Sequence, residues 1–133
     1  MTGRMRIPRG ARCRRRLGPG RWRVRARLER FIEPAVLLVL RDSPGHGYEL
    51  LEQLQALMPS ERIDMGNLYR ILRSLEREGL VDSTWHDQAP GPAKRIYVIT
   101  QSGRRVLTQW VGAFRKIELQ IADFRKRYEQ GRG

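Results

Sequence analysis

Arg70, Arg73 and Arg77 recur at intervals of three and four residues, with Gly66, Asn67 and Ser74 beside them. On a helix that spacing gathers three guanidiniums, an amide and a hydroxyl on one side. This set suits the edges of base pairs. Arg can bridge O6 and N7 of guanine, Asn can bridge N6 and N7 of adenine, and Ser suits either. The plain alternative is an amphipathic helix whose basic face is merely solvated, so the neighbouring segments have to decide.

Chemistry of other kinds finds little support. His46 and His86 are the two histidines, and Cys13 stands far from both in an arginine-rich segment. That spacing assembles neither a zinc site nor a Cys/His nucleophile pair. Gly45-His46-Gly47 is too short for a phosphate loop, and His46 is expected to cap or pack in its turn. Glu76, Glu78 and Asp82 cluster near a helix end, where solvation explains them better than acid/base work. Expectations are therefore no catalytic residues, no metal and no cofactor.

The element carrying the arginines spans residues 64–80. Asp64 is a good N-cap and Gly79 a good C-terminal stop, with Leu68, Ile71, Leu72 and Leu75 forming the apolar stripe between them. Upstream, Leu28, Phe31, Ile32, Ala35, Val36, Val39 and Leu40 predict a helix buried on a wide face, starting near Glu33 with Pro34 in its first turn. A turn at 42–45 leads to a second helix over about 46–57, with Leu50, Leu51, Leu54 and Leu57 inward. A short linker then reaches residue 64, which makes a helix-turn-helix. Residues 80–86 and 94–100 read as strands around the Pro90-Gly91-Pro92 loop, with Val81, Ser83 and Trp85 on one side. Three helices followed by a hairpin with a basic tip is the winged helix-turn-helix plan. Lys94 and Arg95 would then lie over the phosphate backbone.

A second pattern closes the chain. Leu107, Trp110, Phe114, Ile117, Ile121, Phe124 and Tyr128 alternate spacings of three and four, a heptad seam on a helix of about 25 residues. Such a helix, about 38 Å long, outreaches a small core, so part of its seam needs another surface. Self-pairing is the preferred reading over packing on its own domain alone. A twofold dimer would set two reading helices on one DNA face, matching a pseudo-palindrome.

Charge is unevenly distributed. Residues 1–30 hold 12 Arg against Glu29, giving +11; residues 31–133 hold 15 basic and 13 acidic residues, giving +2. A nearly neutral body with a basic arm suggests a folded module joined to a polyanion-seeking segment. Residues 1–27, with their Gly and Pro among the arginines, predict a flexible arm that cannot bury apolar surface. The arm has three readings: a DNA-tracking segment, a solvated extension without specific role, or an upstream stretch included by a wrong start. A single cysteine excludes an internal disulfide and fits a reducing compartment. The longest apolar run, residues 35–40, is far short of a membrane span, and the N-terminus lacks the apolar centre of a signal peptide.

Three motifs now stand together: Gly45-His46-Gly47-Tyr48-Glu49-Leu50, then Asn67 through Val81 with its Leu68-Tyr69-Arg70 and Glu78-Gly79-Leu80 steps, then Tyr97-Val98-Ile99-Thr100-Gln101-Ser102-Gly103-Arg104. In this order they resemble the PadR family of bacterial and archaeal transcriptional regulators, over roughly residues 33–127. The likeness is to the short subgroup, whose winged helix-turn-helix is followed by a single dimerising helix. It implies a cytoplasmic, nucleoid-associated homodimeric repressor on double-stranded DNA that lets go when a small molecule or stress signal arrives. It further implies that Tyr69 touches the phosphate backbone, and that Trp110 and Phe114 are the positions for a planar aromatic effector. Aromatics on a heptad seam are also ordinary interface core. The arginine arm departs from the family's short N-terminus.

The expected fold is thus mainly α with a small β-hairpin (α+β). Its parts are an arm at 1–27, a winged helix-turn-helix at 28–101 and a dimerisation helix at 102–129. A rival reading is a winged-helix docking module whose basic tail is held by RNA, membrane or an acidic partner. Against it, a docking face would be expected to show apolar anchors where residues 64–80 show charge.

Overall fold

The computed structural model describes residues 14–19, 21–24, 31–86 and 94–131. The expected wing loop at 87–93, Leu28 and most of the arm lie outside them. Within the arm, β1 (Arg14–Gly18) and β2 (Arg21–Val24) pair antiparallel, a hairpin that composition alone does not predict. In sequence, Gly18-Pro19-Gly20 is the local turn signal that composition averages away.

Helix α1 (Ile32–Asp42) accommodates Pro34 in its first turn, where a backbone N–H would have no partner within the helix. Pro34, Ala35, Val36, Leu37, Val39 and Leu40 are buried, so α1 is enclosed on more sides than an amphipathic stripe requires. It packs against α2 (Gly47–Leu57), α4 (Gln101–Gln130) and β5 (Lys94–Ile99). Leu50 and Leu54 of α2 are buried as expected. Leu57 is 45% exposed, and Met58 in the C-cap fills the inward place instead.

Ahead of α2 lies β3 (Gly45–His46), which pairs Gly45 with Tyr97 and His46 with Ile96 of β5. Two residues are too few for an alternation to be seen in sequence, so the hairpin expected from 80–100 is in fact a three-stranded sheet. Its order is β3-β5-β4, all antiparallel, with β4 at Val81–His86. His46 also N-caps α2. Its amide donates to Glu49 Oε1 at 2.9 Å and its Nδ1 lies 2.6 Å from the same oxygen, a capping box. The His46 amide, and then its imidazole, hold the Glu49 carboxyl below its ordinary pKa.

Helix α3 (Met65–Arg77) begins on Asp64, whose Oδ1 accepts from the Asn67 amide at 2.8 Å. Leu68, Leu72 and Leu75 are fully enclosed. The helix ends through Gly79, whose φ of 75° is the left-handed conformation that glycine adopts without strain. The Leu80 amide then reaches the Leu75 carbonyl at 2.9 Å.

Thr100 fastens the last helix to this turn. Its hydroxyl donates to the Gly79 carbonyl at 2.7 Å and accepts from the Gly103 amide at 3.0 Å. A Cβ on Gly103 would overlap the Leu80 carbonyl oxygen, so the backbones meet here at a distance only glycine permits. Leu107 joins the main core with Val36, Leu40, Leu72 and Val81. The first two turns of α4 therefore pack as part of the winged-helix core. The structure is mostly helical with one small three-stranded sheet in the winged-helix domain, the α+β class expected.

Candidate nucleic-acid interface

The face opposite the Leu68, Leu72 and Leu75 stripe of α3 carries Gly66, Arg70, Arg73 and Arg77, all exposed, with Asn67 and Ser74 half-buried along its flank. The sequence-expected groups are thus brought together on one helix surface. The helix N-terminus also presents the positive end of its macrodipole, which favours an anion there.

Tyr69 is 41% exposed and leans across the start of α2. A Cβ on Gly47 would lie 2.8 Å from its hydroxyl oxygen and 3.0 Å from the Met65 methyl, so Gly47 provides the room for that approach. The Gly-His-Gly-Tyr motif consequently does two jobs. His46 starts α2, and Gly47 admits the side chain of α3 that borders the arginine face.

The wing does not present its two cations alike. Alternation along a strand sends neighbours to opposite faces, and the registers Val81↔Ile99, Ser83↔Tyr97 and Trp85↔Arg95 place Arg95 with Ser83 and Tyr97. Lys94 is on the other face and exposed. Arg95 Nε donates to Ser83 Oγ at 2.7 Å, while Ser83 donates to Glu76 Oε2 at 2.7 Å and the guanidinium stands 3.4 Å from that oxygen. Its plane also lies over Trp85, 5.2 Å from the ring centroid. Glu76 is therefore half-buried and engaged with the wing, which corrects its reading as a helix-end acid left to solvent. Ser83, Trp85 and Glu76 were missed as a group. Period-two alternation groups Ser83 with Trp85, but their meeting with Arg95 depends on the strand register, which sequence does not give.

Along α4 the heptad seam divides. Leu107 is buried, and Trp110 and Phe114 form an aromatic cluster with Phe31, at centroid distances of 5.5 Å and 5.3 Å. Beyond the half-buried Ile117, every residue from 118 to 131 is exposed. Ile121, Phe124 and Tyr128 are 54%, 74% and 76% exposed. At 1.5 Å per residue this 30-residue helix is about 45 Å long, longer than the seam alone indicates.

A sequence model of the transcriptional regulator PadR-like family matches residues 36–109. The chain belongs to the PadR-like family of transcriptional regulators. Members of that family are regulators and not enzymes. Its matched segment runs from α1 through the arginine face and the wing into α4, so Asn67, Arg70, Arg73, Lys94 and Arg95 lie inside it, while Phe114 through Tyr128 lie beyond. A conserved protein described as a potential transcriptional factor superposes with TM-score 0.66 at 30% identity, covering 75% of this chain and 89% of that one. A putative transcriptional regulator from Thermoplasma acidophilum gives 0.62 at 25% identity, covering 71% and 90%. Bacillus subtilis PadR, solved in complex with operator DNA, gives 0.57 at 25% identity; the match covers 62% of this chain and 47% of that one. A search of curated proteins gave no match. Among the described residues, no helix is long and apolar enough to cross a membrane.

Proposed function

We propose that this PadR-like regulator binds double-stranded DNA as a cytoplasmic homodimeric repressor. The exposed face of α3 reads base edges in the major groove. The observation that carries the reading is the co-location of Asn67, Arg70 and Arg73 on the outer face of a capped helix, held by α2 in helix-turn-helix order. Ser74, with Gly66, flanks the reading groups, and Arg77, Tyr69 and Lys94 contact phosphates on either side. Support also comes from Bacillus subtilis PadR, a relative solved on its operator DNA.

Dimerisation falls to the seam from Leu107 to Tyr128, including the half-buried Ile117, and chiefly to Ile121, Phe124 and Tyr128, whose apolar surface meets water in the single chain. Contiguous exposed apolar residues on one helix face are the mark of an unmet partner. The half-buried rings of Trp110 and Phe114 are the place for a planar aromatic effector, whose arrival would release the DNA.

A mobility shift tests this reading. The full chain is run with DNA from upstream of its own coding region beside random DNA, at about 0.15 M salt, where sequence-blind attraction is screened. A retained preference for the upstream duplex supports it. Equal binding to both would favour a docking module instead.

A further inference from the structure

We infer that Arg95 is a positioning residue that, through Ser83 and Glu76, locks the wing to the C-terminal end of α3 and so sets the angle between reading helix and wing. It rests on the proposed DNA-reading function, and it divides a basic pair that sequence alone places together on the phosphates.

The geometry supplies three reasons. Lys94 and Arg95 point to opposite faces of β5, and Arg95 is on the same face as buried Val81 and Tyr97, the side packed on the helices. Two of its nitrogens are engaged within the fold: Nε donates to Ser83 Oγ at 2.7 Å, and a terminal nitrogen stands beside Glu76 Oε2 at 3.4 Å. The Trp85 ring covers the guanidinium at 5.2 Å. Swinging the side chain out to a phosphate would give up the Ser83 bond and the Trp85 contact.

Glu76 gives the cluster its direction. A carboxylate in the last turns of a helix faces the negative end of the macrodipole, so it is held there by compensation from elsewhere. Ser83 and Arg95 provide it by donating from two strand positions that lie diagonally across the β4–β5 ladder. Because Glu76 follows Arg73 by three residues, its tether fixes the C-terminal end of the helix whose outer face carries the reading groups upstream of it. The side chains of Glu76 and Arg95 are 31% and 40% exposed, which removes the pair from the class of fully solvated ion pairs that contribute little.

Lysine separates the two roles. A phosphate contact survives Arg95→Lys, since a point charge serves; a planar fork that donates from Nε and stacks on Trp85 does not. Affinity for the upstream duplex is measured across a range of salt for the full chain and for Lys94→Gln, Arg95→Lys, Arg95→Gln, Glu76→Gln and Glu76→Gln/Arg95→Gln. The expected result is that Arg95→Lys, Arg95→Gln and Glu76→Gln each weaken binding by a similar factor, about tenfold. The double variant should be no worse than either single one. Their salt slopes should equal the unsubstituted chain's, whereas Lys94→Gln should reduce its slope by about one.

Full affinity in Arg95→Lys with a slope reduced by about one in Arg95→Gln would overturn the inference and return Arg95 to the phosphates. Unchanged affinity in every Arg95 and Glu76 variant, with a lowered melting temperature alone, would overturn it in favour of plain structural packing. Absence of any preference by the unsubstituted chain would overturn the DNA-reading function itself, an outcome distinct from both.

Discussion

Arg73 stands exposed in the middle of the α3 outer face, three residues past Arg70 and four before Arg77. A bidentate contact to guanine from this position predicts that Arg73→Ala weakens binding to the preferred duplex by about 1–3 kcal/mol and relaxes preference at one base pair. Equal losses on preferred and random duplexes, measured by titration, would place Arg73 on phosphate. Glu49 offers a residue-scale prediction about stability. Its carboxyl is held below the ordinary value by the His46 amide, so the folded state binds that proton less readily than the unfolded chain. The stabilisation is present above the ordinary glutamate pKa and is lost as pH falls through the depressed folded value. Melting temperature followed from pH 6 down to about 3 should therefore decline less steeply in Glu49→Gln. Parallel curves would remove the carboxylate from the cap.

At the scale of elements, the turn joining α3, β4 and α4 is where backbones come closest. A methyl on Gly103 meets the Leu80 carbonyl and cannot be relieved by a side-chain rotation, so Gly103→Ala should destabilise by about 1–3 kcal/mol in chemical denaturation. Gly79→Ala should cost about 1–2 kcal/mol, from its φ of 75° alone, since nothing crowds the added methyl. A Gly103→Ala cost no larger than a surface substitution would mean that α4 can shift away from the turn.

Sequence made the helices legible because caps and apolar stripes are local: Asp64, Gly79 and Leu68 to Leu75 bound α3 to within a few residues. Three things were not local. The β3 pairing depends on Tyr97 and Ile96, some fifty residues away from Gly45 and His46. The role of Glu76 depends on two strand residues whose approach sequence does not state. Met58 supplants Leu57 because α2 stops one residue before the core does.

At the scale of the whole molecule, the proposed reading surface on α3 is joined through the winged-helix core to a 30-residue helix whose residues from 118 onward are exposed. Its near half is spent on the chain's own core through Leu107 and the Phe31, Trp110 and Phe114 cluster. In the proposed dimer the contact falls to the distal seam, so Phe124→Glu should shift sedimentation from dimer to monomer by placing a charge in that apolar face. It should leave the melting of the winged-helix core within about 0.5 kcal/mol. A dimer that persists in Phe124→Glu would move the contact elsewhere.

The arginine arm acts at the same scale. Removing residues 1–27 takes away 11 arginines and no acid, and should lower affinity on all sequences while flattening the salt dependence. An unchanged slope would take the arm off the DNA. Preference among sequences should survive its removal, because the proposed reading groups are on α3.

Whether two copies of the α3 face read DNA together is decided by sequencing duplexes that the purified full-length chain selects from a random library. Joint reading should enrich a pseudo-palindrome with half-sites about one helical turn, or a multiple of it, apart. Enrichment of a single unrepeated site, or of no sequence at all, would contradict it.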